Sequence, residues 1–209
     1  MSVLEKLASA LGRRDDVPNQ ELAAELAATK ATDEIQELVA NLKNRDRNIQ
    51  SDCIKVLYEI GYIAPELIAD YATEFLDLLS SRNNRLVWGA MIALSTIAPL
   101  KAPVLFEHRD EIIRAIESGS VITVDRGIKT LSLVAAHNDA YRRTLFPYLL
   151  KHLTNCRPKD VPQRAEAIVT AVDAANKAAF AEVIAKRMPS MRPSQFKRLK
   201  KVLAVAESR

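Results

Sequence analysis

Three histidines, two cysteines and a set of regularly placed arginines and lysines are the side chains with which this 209-residue chain could do chemistry. His108, His137 and His152 stand at no metal-ligand spacing from one another or from Cys53 and Cys156, and no HExxH, CxxC, P-loop or GxGxxG pattern occurs. Glu107-His108 occurs once, and serine-nucleophile motifs are absent. The sequence therefore assigns no catalytic residue, no metal and no cofactor, and the expectation is a chain that is not an enzyme. Asp52, Asp125 and Glu166 read as ion-pair partners of a Lys or Arg three or four residues away. The basic residues carry more. Arg126, Arg164 and Arg198 recur at steps of 38 and 34, and Lys129 and Lys201 each follow the first and last of them by three. Cations so arranged suit an acidic peptide, an acidic protein face or a phosphate backbone. Trp88, the single tryptophan, lies near the expected position of Arg126; it reads either as an exposed binding hot spot or as packing between neighbouring helices.

These spacings follow from a deeper period. Small or apolar anchors at Cys53, Ala90, Gly127, Ala165 and Leu199 are 37, 37, 38 and 34 residues apart. Four residues after them come Leu57, Leu94, Leu131, Val169 and Leu203, and seven after come Ile60, Ile97, Val134, Val172 and Ala206. A second ladder runs out of phase: Leu38, Phe75, Ile112, Leu149 and Ile184, with Leu42, Leu79, Ile116, Leu153 and Met188 four residues on. Positions i, i+4 and i+7 share one helical face, so each unit carries two amphipathic helices, A and B. One pair cannot bury both stripes, whereas stacked pairs can. A small anchor lets the two backbones of a pair approach closely; Leu199 departs from that rule.

The turns keep the same register. Asp46, Asn83 and Ser120 lie seven before the first three anchors and are good N-caps for helix B. In the fourth unit the corresponding residue is Pro158, so that helix is expected to start later, with Pro162 in its first turn. Val121-Ile122-Thr123-Val124 favours a strand by local propensity, but the register assigns it to a helix. Residues 1–30 lie outside the repeat. Val3, Leu4, Leu7 and Leu11 form a short apolar face, and Asn19 is expected to cap a second short helix with Leu22 and Leu26 facing in. This pair reads as an N-terminal cap on the stack.

At this point the chain resembles the HEAT-repeat family of the armadillo-type helical superfamily. The resemblance rests on the unit length, the A/B pairing, prolines at the links (Pro65, Pro99) and Ser81-Arg82-Asn83-Asn84-Arg85-Leu86-Val87 running into a small-residue helix. It covers residues 32–206. It implies an all-α, right-handed α-α superhelical solenoid of about five helix pairs with an N-terminal helical cap, forming one domain over 1–209. It also implies that the B helices line a concave surface carrying Trp88, Arg126, Lys129, Arg164, Arg198 and Lys201 as partner-binding residues. A second row of turn arginines, Arg45, Arg82, Arg157 and Arg192, lies along one edge. Glu107-His108 reverses the His-Glu order of the HEAT-repeat di-iron hydroxylases. HEAT-like DNA glycosylases would need several aromatics in the cleft; aromatics make up 5% here and none falls in register with Trp88.

Composition agrees with a soluble helical chain, 48% hydrophobic and 27% charged. The longest uncharged stretch, residues 86–100, is too short to span a membrane and reads as the most buried helix. No charged and then apolar leader opens the chain, and the two distant cysteines read as free thiols, so a cytoplasmic setting is expected. Charge is polarised: residues 1–80 hold 8 basic and 15 acidic side chains, residues 186–209 hold 8 and 1. The function expected from all this is a scaffold or adaptor gripping an acidic or helical protein partner. Nucleic-acid backbone binding is the alternative.

Overall fold

The computed structural model describes residues 2–209, and its regular structure is helical. The chain divides into two compact units, one ending at Gly127 and one beginning at Ile128, so that the boundary falls inside a helix.

In the first unit the helices are α1 (Val17–Thr29), α2 (Thr32–Ala40), α3 (Arg47–Ile63), α4 (Ala72–Asp77), α5 (Asn84–Ile97), α6 (Ala102–Glu107), α7 (Arg109–Ser118) and the start of α8 (Val121–Ala135). α3 is central, packed between α1 and α5. The anchors and their i+4 and i+7 partners on α3 and α5 are buried, as are Leu38, Leu42, Phe75, Ile112 and Ile116 on the A helices. α5 is buried on most of its circumference, from Leu86 through Ile97. Asp46 and Asn83 accept from the amides of Asn48 and Arg85, and the Ser120 hydroxyl accepts from that of Thr123, so the expected caps form. The β-branched run 121–124 is helical because its register buries Thr123 and brings Gly127 onto the core. At that glycine the A and B helices approach closely: a Cβ there would lie 2.4 Å from Ile116 Cγ1.

The N-terminal segment departs from expectation. α1 begins at Val17 with Pro18 in its first turn, so Asn19 lies inside the helix and caps nothing. Its side chain is fully buried: Oδ1 accepts from the Ala8 amide at 3.0 Å and Nδ2 donates to Asp52 Oδ1 at 2.8 Å. The Ser9 amide donates to the other Asp52 oxygen at 2.8 Å. Asp52 is thus paired with the N-terminal segment and not with a neighbour on its own helix. An Asn that satisfies both a buried donor and a buried acceptor contributes more there than at a solvated cap. Val3 and Leu7 are buried as expected, whereas Leu11 is exposed.

In the second unit α9 (Asp139–Asn155), α10 (Val161–Ile168), α11 (Lys177–Arg187) and α12 (Pro193–Glu207) follow the remainder of α8. α10 and α11 each pack against α9 and α12. Pro162 stands in the first turn of α10, which ends after eight residues and passes through a 3-10 turn to extended Val172. Leu149, Leu153, Ala165, Ile184 and Leu199 form the core, the larger Leu199 being as buried as the small anchors.

Candidate functional site

An α-helix turns about 100° per residue, so the direction opposite an anchor is reached at positions −2, +2, +5 and +9. On α3 those positions hold Lys55, Tyr58 and Tyr62, and on α5 position −2 holds Trp88. The rings meet across the two helices. Tyr58 and Trp88 lie 6.0 Å apart, centroid to centroid, tilted by 53°, and Tyr58 meets Tyr62 edge to face at 6.3 Å. Each ring carries a cation. Lys55 Nζ is 4.9 Å from the centre of Tyr58, the Arg85 guanidinium 5.9 Å from Trp88, and the Arg126 guanidinium 5.8 Å from Tyr62. Tyr58 is buried at the base of the row, Trp88 is half-buried, and Tyr62 and the adjoining Ile63 are 46% and 57% exposed.

The electrostatics are set by Lys55. Its ammonium is nearly buried, 2.5 Å from Glu59 and 3.6 Å from Asp16, and Arg85 reaches the other Asp16 oxygen at 3.5 Å. Burial works to lower the Lys55 pKa, but hydrogen bonds with Glu59 and Tyr58 outweigh it and the net shift is upward. Burial also raises the Tyr58 phenol, against the pull of Lys55. Lys55 therefore stays charged and Tyr58 neutral at physiological pH. Chemically, the face offers rigid aromatic area flanked by N–H donors, the composition of interface hot spots.

No family model and no curated protein matches the chain. Solved structures do. An engineered protein from a structural genomics programme superposes with a TM-score of 0.68 at 20% identity, over 100% of this chain and 98% of that one. A designed armadillo repeat protein in complex with the peptide (KR)4 gives 0.66 at 16%, over 98% and 100%. The karyopherin Kap121p bound to the SUMO protease Ulp1p gives 0.64 at 15%, over 95% of this chain and 22% of that one. This is a HEAT/armadillo-type helical-repeat fold. In its terms α3, α5, α8, α10 and α12 are B helices, and the aromatic row lies on the B-helix face of the first unit.

Of the residues singled out in the sequence, Trp88 and Arg126 come into this one cluster, linked through Tyr58 and Tyr62. Trp88 packs on Tyr58 of the preceding B helix, as the packing reading expects, and is intermediate in burial. Lys129 is exposed on the next turn of α8, in the second unit. Arg164 is a correction: it is 3% exposed and belongs to no open surface. Position −1 lies only about 100° from the anchor, on the helix flank. On α10 that flank faces α9, where the Arg164 charge adds to burial in lowering the His152 pKa. The same position is buried at Asp52 and Gly89. Arg198 is exposed but held by Glu166 in a two-pronged pair at 2.6 and 2.7 Å, which also corrects the expectation of a local partner for Glu166. Lys201 is exposed beside Lys197 and Lys200 on α12.

Tyr58 and Tyr62 escaped the sequence reading, which expected no aromatic in register with Trp88. The signal was present: positions −2 and +5 differ by seven residues, two turns, and so point the same way on successive B helices.

Proposed function

We propose that the chain is a binding module, without catalytic activity, that holds a protein partner against the aromatic and cationic face of α3, α5 and the first turns of α8. The observation that carries this reading is the row Trp88–Tyr58–Tyr62, its two outer rings partly open to solvent, with a cation over every ring. A structural core has no use for half-exposed aromatics dressed with arginines, whereas a partner side chain can bury them. Support comes from the fold neighbours, which include a designed repeat protein holding a peptide and a karyopherin holding a protein. A cytoplasmic setting belongs to the same proposal; it is supported by two free thiols, of which Cys53 is buried with its pKa pushed up to about 12, chiefly by that burial. None of the described helices is long and apolar enough to cross a membrane.

The test is selection of binders from a displayed random-peptide library on the intact chain. Trp88→Ala and Tyr62→Ala should each weaken the selected peptides by about tenfold or more, since loss of an aromatic hot spot costs about 2 kcal/mol. Binders indifferent to both substitutions refute the face. A second reading, contact with a nucleic-acid backbone, is favoured by the charge of the second unit, which holds 16 Lys and Arg against 6 Asp and Glu. It requires a labelled DNA duplex to bind with a steep salt dependence that Lys197→Glu and Lys201→Glu reduce.

A further inference from the structure

At one end of the aromatic row the chain places a carboxylate of its own. Asp16, at the end of the loop that leaves Gly12, lies between Lys55 and Arg85 at 3.6 and 3.5 Å. Those distances exceed the roughly 2.7–2.9 Å of an engaged charge-assisted hydrogen bond. They also exceed the 2.6 and 2.7 Å of the Arg198–Glu166 pair in the same molecule. The Asp16 side chain does not cap α1 and remains about half exposed. Beside it lies a cleft of about 410 Å³ whose charged lining is Arg13, Arg14 and Arg85 with Asp15, Asp16 and Asp52. Lys55 cannot turn away, being pinned by Glu59 and the Tyr58 ring, and Arg85 lies over Trp88. Two cations therefore converge on a point that a loosely seated carboxylate fills, and one of them, Arg85, also lies over the half-buried indole.

Resting on the binding face proposed above, we infer that Lys55 and Arg85 form a carboxylate notch, and that the partner is an acidic peptide segment whose Asp or Glu displaces Asp16 while a neighbouring apolar side chain covers Trp88. In an extended peptide, residues i and i+2 lie on one side about 6.6 Å apart. The Arg85 guanidinium and the Trp88 ring are themselves neighbours, 5.9 Å apart, so two side chains on one side of such a peptide suffice to reach both. The recognised pattern is thus an acidic residue and an apolar residue separated by one. Asp16 is the intramolecular competitor that this partner must beat.

Trp88 is the only tryptophan, so its emission reports this site directly. The intact chain is titrated with an octapeptide made of two Glu-Ser-Leu-Ser repeats, and with its Gln-Ser-Leu-Ser and Lys-Ser-Leu-Ser counterparts. The Glu peptide should shift the emission at the lowest concentration and the Lys peptide should not shift it. Asp16→Asn should tighten the Glu peptide about three- to fivefold, the worth of an exposed ion pair converted to affinity, and leave the Gln peptide unchanged. Arg85→Gln should erase the difference between Glu and Gln peptides. Equal affinity for Glu and Gln peptides in both forms, preference for the Lys peptide, stronger response to a single-stranded DNA oligonucleotide, or no response to any peptide overturns the notch. Library peptides that depend on Trp88 but lack acidic residues would leave the face standing without the notch; loss of Trp88 dependence as well would remove both.

Discussion

Gly127→Ala is the sharpest test of the helix pairing, because two effects of known sign oppose each other there. Within a helix, alanine is favoured over glycine by about 1 kcal/mol. At Gly127 the new methyl would lie 2.4 Å from Ile116 Cγ1 and 2.8 Å from its Cδ1. Cγ1 is the first branch atom of a side chain that is itself buried, so it cannot swing aside without moving its own backbone or leaving its rotamer. Overpacking of this kind costs about 1–3 kcal/mol. The clash should match or exceed the helical gain, making Gly127→Ala neutral to about 2 kcal/mol destabilising; Gly127→Leu should be worse than Gly127→Ala. The decisive form is a double-mutant cycle with Ile116→Ala, which removes both contacted atoms. The pair should be more stable than the sum of the single changes by about 1–3 kcal/mol. Urea unfolding followed by far-UV circular dichroism and Trp88 emission measures it. A Gly127→Ala protein stabilised by the full helical increment, together with an additive cycle, would refute the close approach of α7 and α8.

Two further outcomes separate the basic residues and the histidines. Arg164→Glu should destabilise the chain by about 3 kcal/mol, since it puts the opposite charge into a buried site, whereas Lys201→Glu on the exposed face of α12 should stay within about 0.5 kcal/mol; both are read from urea midpoints. His152, whose pKa burial and then Arg164 hold below its ordinary 6.5, binds a proton more readily when unfolded. Stability should therefore be complete above that ordinary value and decline as pH falls toward the depressed one, and His152→Gln should flatten the decline.

The repeat was legible in the sequence because burial enforces it: Cys53, Ala90, Ala165 and Leu199 are fully buried, and a polar residue at any of them would sit in the core. The caps were legible because Asp46, Asn83 and Ser120 have one chemical use at the start of a helix. Asn19 was misread because the same amide that can cap a helix can also bridge two buried groups, and only the fold supplies Asp52 and the Ala8 amide as partners. Arg164 was misread because the flank of a helix is buried or open according to what packs there. The aromatic row needed one more step than a single register, since Trp88 and Tyr58 stand two turns apart in phase while their helices bring the rings together.

The buried link among Ala8, Ser9, Asn19 and Asp52 also makes α3 selective for what packs against it. Repeats that stack through apolar faces are interchangeable, and such a stack has no intrinsic first member. α5 carries Gly89 at the position where α3 carries Asp52. A further repeat, or a second copy of the chain, laid against α3 in place of the N-terminal segment would strand that carboxylate without a donor, at a cost of several kcal/mol. The segment that occupies the position meets that demand with the Asn19 amide and the Ser9 N–H. One acidic residue thus makes one flank of an otherwise periodic stack selective for the segment that packs on it.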